Sequence, residues 1–169
     1  MVFRDEERGC AGSHARVASG AQLPGVFIEV HHEQGPTLRR AGLPVGVVTA
    51  IVGYARGMRT VHGRAGHAGT TPMDVREDAL VTAALELLRI RAVACGIEGA
   101  VVTVGQVSVE PGGTNVIPGR VRFSIDARAP DSERLEQLIG DIGAFENLQL
   151  VEPSPMSPRV RIQLPHGIP

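Results

Sequence analysis

Two histidines, a glutamate and a glutamine follow an apolar run near the start of the chain, in the segment GVFIEVHHEQGP at residues 25–36. Histidine and carboxylate at the carboxyl end of a buried strand are typical of ligand sites in open α/β sheets, and neutral imidazole is a common zinc ligand. The alternative is an ordinary polar turn. Spacing alone favours the turn, because one such cluster cannot complete a four-ligand shell. His31 is the candidate metal ligand.

Three further segments place polar side chains where a scaffold would not need them. Small residues flank His67 in AGHAGTTPM, which would let a substrate approach the backbone, although a glycine-rich turn has the same composition. Asn115 in GGTNVIPG could offer a ligand both a donor and an acceptor, but asparagine is also a common turn residue. Arg128 closes RVRFSIDAR and could bind a carboxylate bidentately, or form an ordinary surface pair with Asp126.

The composition limits the classes of function. The 169 residues carry a formal net charge of -1, every basic residue except histidine is arginine, and aromatic residues make up 3%. This balance argues against a nucleic-acid partner, which would need a basic face or aromatic stacking. No apolar run approaches the roughly 20 residues that span a bilayer, and the N-terminus lacks the build of a signal peptide. We therefore expect a soluble, cytoplasmic protein without a membrane partner.

Secondary structure must position these residues, and hydrophobic periodicity predicts where it lies. Strands are predicted at about 26–32, 45–52, 56–63, 100–110, 120–128 and 148–151. Glycine near residue 53 separates the second and third of these stretches. The strand at 120–128 alternates strictly, so one face is predicted to point inward. The inward residues are Val121, Phe123, Ile125 and Ala127.

Two helices are predicted between these strands. The start of the first helix is predicted from its capping residues, which are Thr71 as N-cap, Pro72 at the first helical position and Asp74 as capping-box acid. Its end is predicted at Gly96. Its apolar face is formed by Ala79, Ala83, Leu87, Ile90 and Ala94. The second helix is predicted from Pro130 onward. Its apolar stripe is Leu135, Leu138, Ile139 and Ile142.

The order β-α-β-β-α-β predicts an α+β fold of the ferredoxin-like type, in which two helices pack on one face of an antiparallel sheet. We expect this domain at residues 45–152. Residues 1–44 are predicted to be a lead-in with a single strand that belongs to a different sheet, because that strand has no partner within the unit. The proline-rich tail at 153–169 is expected to be irregular.

The segments EVHHEQGP, GRAGHAGTTPMDVREDAL and NVIPGRVRFSIDARAP resemble the hydantoinase/carbamoylase family of metal-dependent amidases, over about residues 27–142. That family includes N-carbamoyl-L-amino-acid hydrolases and allantoate amidohydrolases, and is related to aminoacylases and carboxypeptidase-G type metallopeptidases. The resemblance implies a larger α/β catalytic domain with two divalent metal ions, either zinc or manganese or cobalt. It also implies a ferredoxin-like lid that forms a homodimer, and a small amide substrate with a carboxylate.

The resemblance further implies roles for individual residues. His31 matches a metal ligand, and Gln34 matches a substrate contact. His67 matches a lid histidine that contacts substrate and stabilises the tetrahedral intermediate, in a site completed across the dimer. Asn115 and Arg128 match the residues that hold the substrate carboxylate.

The chain also departs from the family pattern. The family's other metal ligands come from an upstream His-x-Asp element, an acidic pair and a C-terminal histidine, none of which can be matched here; the pair Glu6-Glu7 does not align, and His166 lies in the unmatched tail. We therefore expect a partial family member without a complete metal site and with little or no activity alone. Two alternatives stay open: a stand-alone dimerisation or carboxylate-binding module, and a related aminoacylase or dipeptidase.

Overall fold

The computed structural model describes residues 18–20, 29–155 and 161–164. The chain divides into two compact units, of which unit 1 comprises residues 1–47 and 158–169 and unit 2 comprises residues 48–157. Within the lead-in predicted at 1–44, residues 1–17 and 21–28 lie outside the described residues. The first three residues of the strand predicted at 26–32 also lie outside them.

The described elements follow in chain order. The strands are β1 (Glu29–His32), β2 (Gly46–Val48), β3 (Ala50–Ile51), β4 (Gly53–His62), β5 (Gly66–His67), β6 (Val101–Thr103), β7 (Val107–Glu110), β8 (Val116–Ile117), β9 (Arg120–Ala129), β10 (Glu146–Val151), β11 (Ser154–Pro155) and β12 (Arg161–Leu164). The helices are α1 (Thr37–Ala41), α2 (Ala79–Cys95) and α3 (Ser132–Ile142), with a 3-10 turn at Met73–Val75. No helix among these described elements is long and apolar enough to cross a membrane.

Unit 1 contains a sheet in the order β1-β12-β2, in which β1 and β12 run parallel. The described part of the first strand thus lies outside the antiparallel sheet of unit 2, although β2, from the start of the domain expected at 45–152, lies in the same sheet as β1. The expectation of an irregular tail is wrong for two segments, because β11 pairs with β3 and β12 pairs with β1. Residues 161–164 alternate polar and apolar side chains within the proline-rich tail, and the edge of β1 satisfies backbone N–H and C=O groups of this short strand.

Unit 2 is built on an antiparallel sheet in the order β10-β4-β9, with β6 and β7 pairing successive parts of β9 on its other edge. β4 and β9 pair along their full length, from Gly53 opposite Ala129 to His62 opposite Arg120. Gly53 is thus the first residue of β4 and not a link between two strands, because its backbone is paired. β5 and β8 form a separate two-stranded ribbon.

The core of unit 2 lies between this sheet and the two longer helices. The four inward residues predicted for β9 are all buried, at 0–1% exposure. They form one cluster with apolar residues of α2 and α3, so both helices pack on the same face of β9. The buried helical residues are Ala79, Ala83, Ile90, Ala94, Leu135, Leu138 and Ile142. The fold is α+β, and the predicted apolar faces of both helices are confirmed.

The first long helix begins later than predicted. The predicted N-cap Thr71 lies in a turn, and α2 begins at Ala79 with Asp78 as its N-cap. The Asp78 carboxylate accepts the N–H groups of Leu80 at 2.9 Å and Val81 at 3.2 Å. A carboxylate at this position satisfies two N–H groups of the first turn and is favoured by the helix dipole. The predicted end at Gly96 and the start of α3 after Asp131 are both confirmed.

Candidate functional site

His67 and Asn115 lie side by side on the two-stranded ribbon. His67 in β5 pairs with Val116 of β8. The N–H of Ala68 donates to the carbonyl oxygen of Asn115 at 2.9 Å, which extends the pairing to the turn before β8. Both side chains are exposed. The structure therefore brings two of the predicted site residues together at one place on the surface.

The loop that follows His67 orients its imidazole ring. The N–H of Gly69 donates to Nδ1 at 3.1 Å. A nitrogen that accepts this bond does not carry a proton, so the neutral ring holds its proton on Nε2 and presents that N–H as a donor. A side chain at Gly69 would crowd the ring, because a Cβ there would lie 3.2 Å from Cε1 of His67. Such a donor has the chemistry needed to stabilise an oxyanion.

Arg76 holds the same loop in place. Its Nε donates to the carbonyl oxygen of Thr71 at 3.0 Å, and its Nη2 donates to the carbonyl oxygen of Ala68 at 2.5 Å. The loop lacks a regular ladder, so its carbonyl groups need donors from elsewhere. No motif pointed to Arg76. The one available signal was its position directly after a glycine-rich loop.

Arg128 lies near the end of β9, on the face opposite the core. Its Nε and Nη2 donate to Oδ1 and Oδ2 of Asp126, at 2.8 and 3.0 Å, and Nε of Arg56 donates to the same Oδ2 at 2.7 Å. The hydrogen bond from Arg128, followed by that from Arg56, holds the pKa of the Asp126 carboxyl below its usual value, although partial desolvation raises it. The same bond raises the pKa of Arg128. The Asp126–Arg128 surface pair, the alternative interpretation of this segment, is present.

The ribbon and Arg128 lie at opposite ends of β9. β8 precedes the Arg120 end of this strand, whereas Arg128 is next to its last residue. β9 has 10 residues, which at about 3.3 Å per residue span roughly 30 Å. One copy of unit 2 therefore does not bring His67 and Arg128 to the same small molecule.

The remaining predicted residues belong to unit 1. His31 is half-buried in β1, and Gln34 is exposed just beyond that strand. Between them Glu33 is only 7% exposed, and its two carboxylate oxygens accept the N–H groups of Thr37 at 2.8 Å and Leu38 at 2.9 Å. Glu33 thus caps the N-terminus of α1, where a carboxylate is stabilising, and its oxygens are occupied by this role.

The described residues do not fit a complete metal centre. Among them, no group of three or more His, Cys, Asp or Glu side chains is arranged to hold a metal ion. His31 stays a single predicted ligand. One imidazole leaves the other positions of a four-ligand shell to groups outside this set.

Residues 49–147 match the family model of the peptidase dimerisation domain. The chain belongs to this family. It is 49% identical over 132 residues to an N-carbamoyl-L-amino-acid amidohydrolase of Paenarthrobacter aurescens. The matched region covers 78% of this chain and 32% of that protein. It is also 37% identical over 151 residues to an allantoate amidohydrolase of Bacillus subtilis, and this matched region covers 80% of this chain and 36% of that protein.

A solved structure supports the same assignment. The crystal structure of an amidase of the hydantoinase/carbamoylase family from Burkholderia multivorans superposes with a TM-score of 0.74 and 25% identity, covering 86% of this chain and 48% of that chain. The resemblance inferred from the motifs is confirmed. The chain spans about a third of the length of the curated relatives it matches.

Proposed function

We propose that the domain expected at residues 45–152, described in the structure as unit 2 at 48–157, forms the lid and dimerisation domain of a metal-dependent amidohydrolase, and that the segments before and after it accompany its catalytic domain. The strand order β10-β4-β9-β6/β7, with both helices on one face, supports a ferredoxin-like topology for this lid. Unit 1 is built from two segments that flank unit 2 in the sequence, which supports a lid inserted into another domain. The proposed location is the cytoplasm.

The proposed substrate is a linear amide that carries a carboxylate, either an N-carbamoyl-L-amino acid or allantoate. The names of the relatives support this class. In the proposed site Nε2–H of His67 donates to the oxyanion of the tetrahedral intermediate, Asn115 and Arg128 bind the carboxylate, and Gln34 contacts the substrate. His31 would supply one ligand to a pair of divalent ions, either zinc or manganese or cobalt.

The separation along β9 is the observation that carries this proposal. Arg120, at the end of β9 that follows the ribbon, and Arg128 are eight residues apart, which is about 26 Å at the rise per residue of a strand. A small substrate can contact both ends only if a second copy brings its ribbon to the Arg128 end of the first. A site completed across a homodimer accounts for all three residues at once.

The outer face of α2 supports such a dimer. Val81, Leu85 and Leu88 are 56%, 65% and 65% exposed, and their spacing places them on one side of the helix. α2 packs beside β6, an edge strand with Val101 57% exposed. Apolar side chains on a helix beside an unpaired strand edge fit a two-fold contact, in which the same surface of both copies is buried.

Sedimentation velocity on the 169-residue chain tests the dimer. We expect the wild type to sediment as a dimer and Leu85→Glu to sediment as a monomer, because a charge would be buried in the contact. Leu148→Glu is the matched control, since Leu148 is 46% exposed on β10 at the opposite edge of the sheet. A monomeric wild type, or a dimer that only Leu148→Glu disrupts, contradicts the proposed interface.

Hydrolysis assays test the proposed division of the active site. We expect the purified chain to release no product from an N-carbamoyl-L-amino acid or allantoate when zinc, manganese or cobalt is added, because the described residues do not form a complete metal centre. Robust metal-dependent turnover by this chain would refute the proposal that its site is partial. Turnover of N-acyl amino acids or dipeptides would instead indicate an aminoacylase or dipeptidase.

The guanidinium pair beside Asp126 favours a second candidate, a stand-alone carboxylate-binding dimerisation module. Arg56 and Arg128 both line an open cavity of about 760 Å³ on the sheet. A stable, metal-free dimer that binds a carboxylate without converting any amide would support this module. Dependence of folding on a complementary fragment would support the amidohydrolase.

A further inference from the structure

Polar side chains form a row across the open face of the unit 2 sheet. The strand register places Gln149 opposite Arg56, Arg56 opposite Asp126, and Asp126 opposite Thr103. This row crosses β10, β4, β9 and β6 on the face opposite the core. It lines the cavity of about 760 Å³, together with Arg128. Polar residues are usual on the solvated face of an antiparallel sheet, so it is the cavity lined by this row that suggests a ligand site.

The charged groups that line this cavity do not cancel. They are the guanidinium groups of Arg56 and Arg128 and the carboxylate of Asp126, so one positive charge is left over. The other polar lining side chains are neutral hydroxyl and amide groups. A single carboxylate group would balance the cavity, and guanidinium is the group that binds a carboxylate in a bidentate manner.

Asp126 decides which N–H groups of the two arginines face a ligand. Its carboxylate accepts hydrogen bonds from Nε–H and one Nη2–H of Arg128, and from Nε–H of Arg56. Among the described residues, no partner is found for either N–H of Arg128 Nη1 or for the Nη groups of Arg56. The guanidinium group of Arg56 lies over the aromatic ring of Tyr54, with Cζ 4.4 Å from the ring centroid, which is a cation–π contact.

We propose that Asp126 is a positioning residue, which locks the guanidinium groups of Arg128 and Arg56 so that their free Nη N–H groups bind one carboxylate of an N-carbamoyl amino acid. The substrate class rests on the proposed function, whereas the positioning of the two arginines by Asp126 does not depend on it. Arg128 was already a predicted carboxylate contact, whereas Arg56 and Asp126 extend the site.

Charge and positioning predict opposite effects for the same substitution. Asp126→Asn removes a negative charge and raises the excess of positive charge in the cavity, so charge alone predicts tighter binding of an anion. If Asp126 positions the arginines, the substitution frees two long side chains that must then be ordered on binding, and affinity falls. We expect a loss of about tenfold, which corresponds to about 1.4 kcal/mol.

NMR titration of the ¹⁵N-labelled chain with N-carbamoylglycine measures both effects. In the wild type we expect saturable shifts of the Arg128 and Arg56 Nε–H signals, with no shift for the uncharged N-carbamoylglycinamide. Slow rotation of the Arg128 guanidinium should give separate Nη signals before any ligand is added. Asp126→Asn should average these signals and weaken binding of the probe, while the backbone amide spectrum checks that the variant is folded.

Two further variants complete the test. Glu110→Gln removes the carboxylate that pairs with Arg120 at the other end of β9, outside the cavity, and should leave both readouts unchanged. Arg56→Met keeps the Asp126–Arg128 pair but should weaken binding by removing one guanidinium. Unchanged or tighter binding by Asp126→Asn would overturn the positioning role, and unchanged binding by Arg56→Met would overturn the part assigned to Arg56.

The outcomes separate this inference from the proposed function. If the wild type binds the probe and Asp126→Asn binds it equally well, the positioning role is wrong and the proposed function stands. If the wild type does not bind the probe, the carboxylate site proposed in this cavity is wrong. The sedimentation experiment needs no ligand, so it judges the dimerisation role independently of either result.

Discussion

Arg59 connects three elements of unit 2, and its removal should destabilise the fold more than any surface arginine. The side chain is 12% exposed and forms an ion pair with Glu86 of α2. Its Nη2 donates to the carbonyl oxygens of Ile142 at 3.0 Å and Ala144 at 2.5 Å, at the C-terminus of α3. A cation at this position satisfies helix carbonyls that have no partner within the helix and complements the helix dipole.

The expected effect of Arg59→Met follows from these contacts. Removing one partner of a buried ion pair costs about 3–5 kcal/mol, because the other charge is left uncompensated. This pair is only partly buried, because Glu86 is 22% exposed and keeps a second cation, Arg89, at 3.7 Å; the expected loss of unfolding free energy therefore lies below that range, at about 2 kcal/mol. Methionine retains most of the apolar volume, so the loss reports the charge and its hydrogen bonds.

Urea unfolding followed by circular dichroism measures this difference. Arg122→Met is the matched control, because Arg122 is 45% exposed and its nearest carboxylate, on Glu146, is 3.8 Å away; we expect a change below about 1 kcal/mol. Adding Glu86→Leu to Arg59→Met should recover part of the lost stability, because it removes the uncompensated carboxylate. A change below about 1 kcal/mol for Arg59→Met, or an equal loss for the control, would refute the reasoning.

Three other predictions concern the core, the Asp126 carboxylate and the loop after His67. Phe123→Ala, at 0% exposure, should lower the unfolding free energy by about 3–5 kcal/mol in urea melts, and a loss below about 1 kcal/mol would show that the core collapses around it. The folded-state pKa of Asp126 lies below its ordinary 3.8, so its pairs stabilise the fold above that pH and this contribution is lost as the pH falls through the lower value. The stability difference between wild type and Asp126→Asn should therefore shrink from about pH 5 to pH 2, and a constant difference contradicts this. Gly69→Ala should push the His67 ring away from the Gly69 N–H and raise the fraction of the Nδ1–H tautomer in ¹⁵N spectra; an unchanged tautomer ratio would count against this orientation.

Periodic patterns predicted the packed elements correctly, because a side chain's place in the repeat directly records which face is buried. Alternation at 120–128 predicted the inward face of β9, and the apolar stripe after Asp131 predicted the buried side of α3. Cap chemistry was less specific. Thr71 and Asp78 can both cap a helix, and only the backbone hydrogen bonds in the folded chain show that Asp78 does so.

Local sequence patterns did not predict which distant segments pair with each other. β12 pairs with β1 within the proline-rich tail, and its residues 161–164 alternate polar and apolar side chains, but this run is too short to predict its partner. Glu33 looked like a neighbour of a metal ligand, yet its carboxylate caps α1, which requires the chain to turn back at Pro36. Such contacts depend on backbone direction, which residue types alone do not specify.

The sequence by itself determined the family, the α+β class and the identity of the residues available for chemistry, because motifs and periodicities are local. Tertiary structure alone decided where those residues lie. β5 and β8 bring His67 beside Asn115, while the length of β9 keeps both away from Arg128. It also decided that Arg128 is held by Asp126 and joined by Arg56, because cross-strand register, and not spacing along the chain, makes those side chains neighbours.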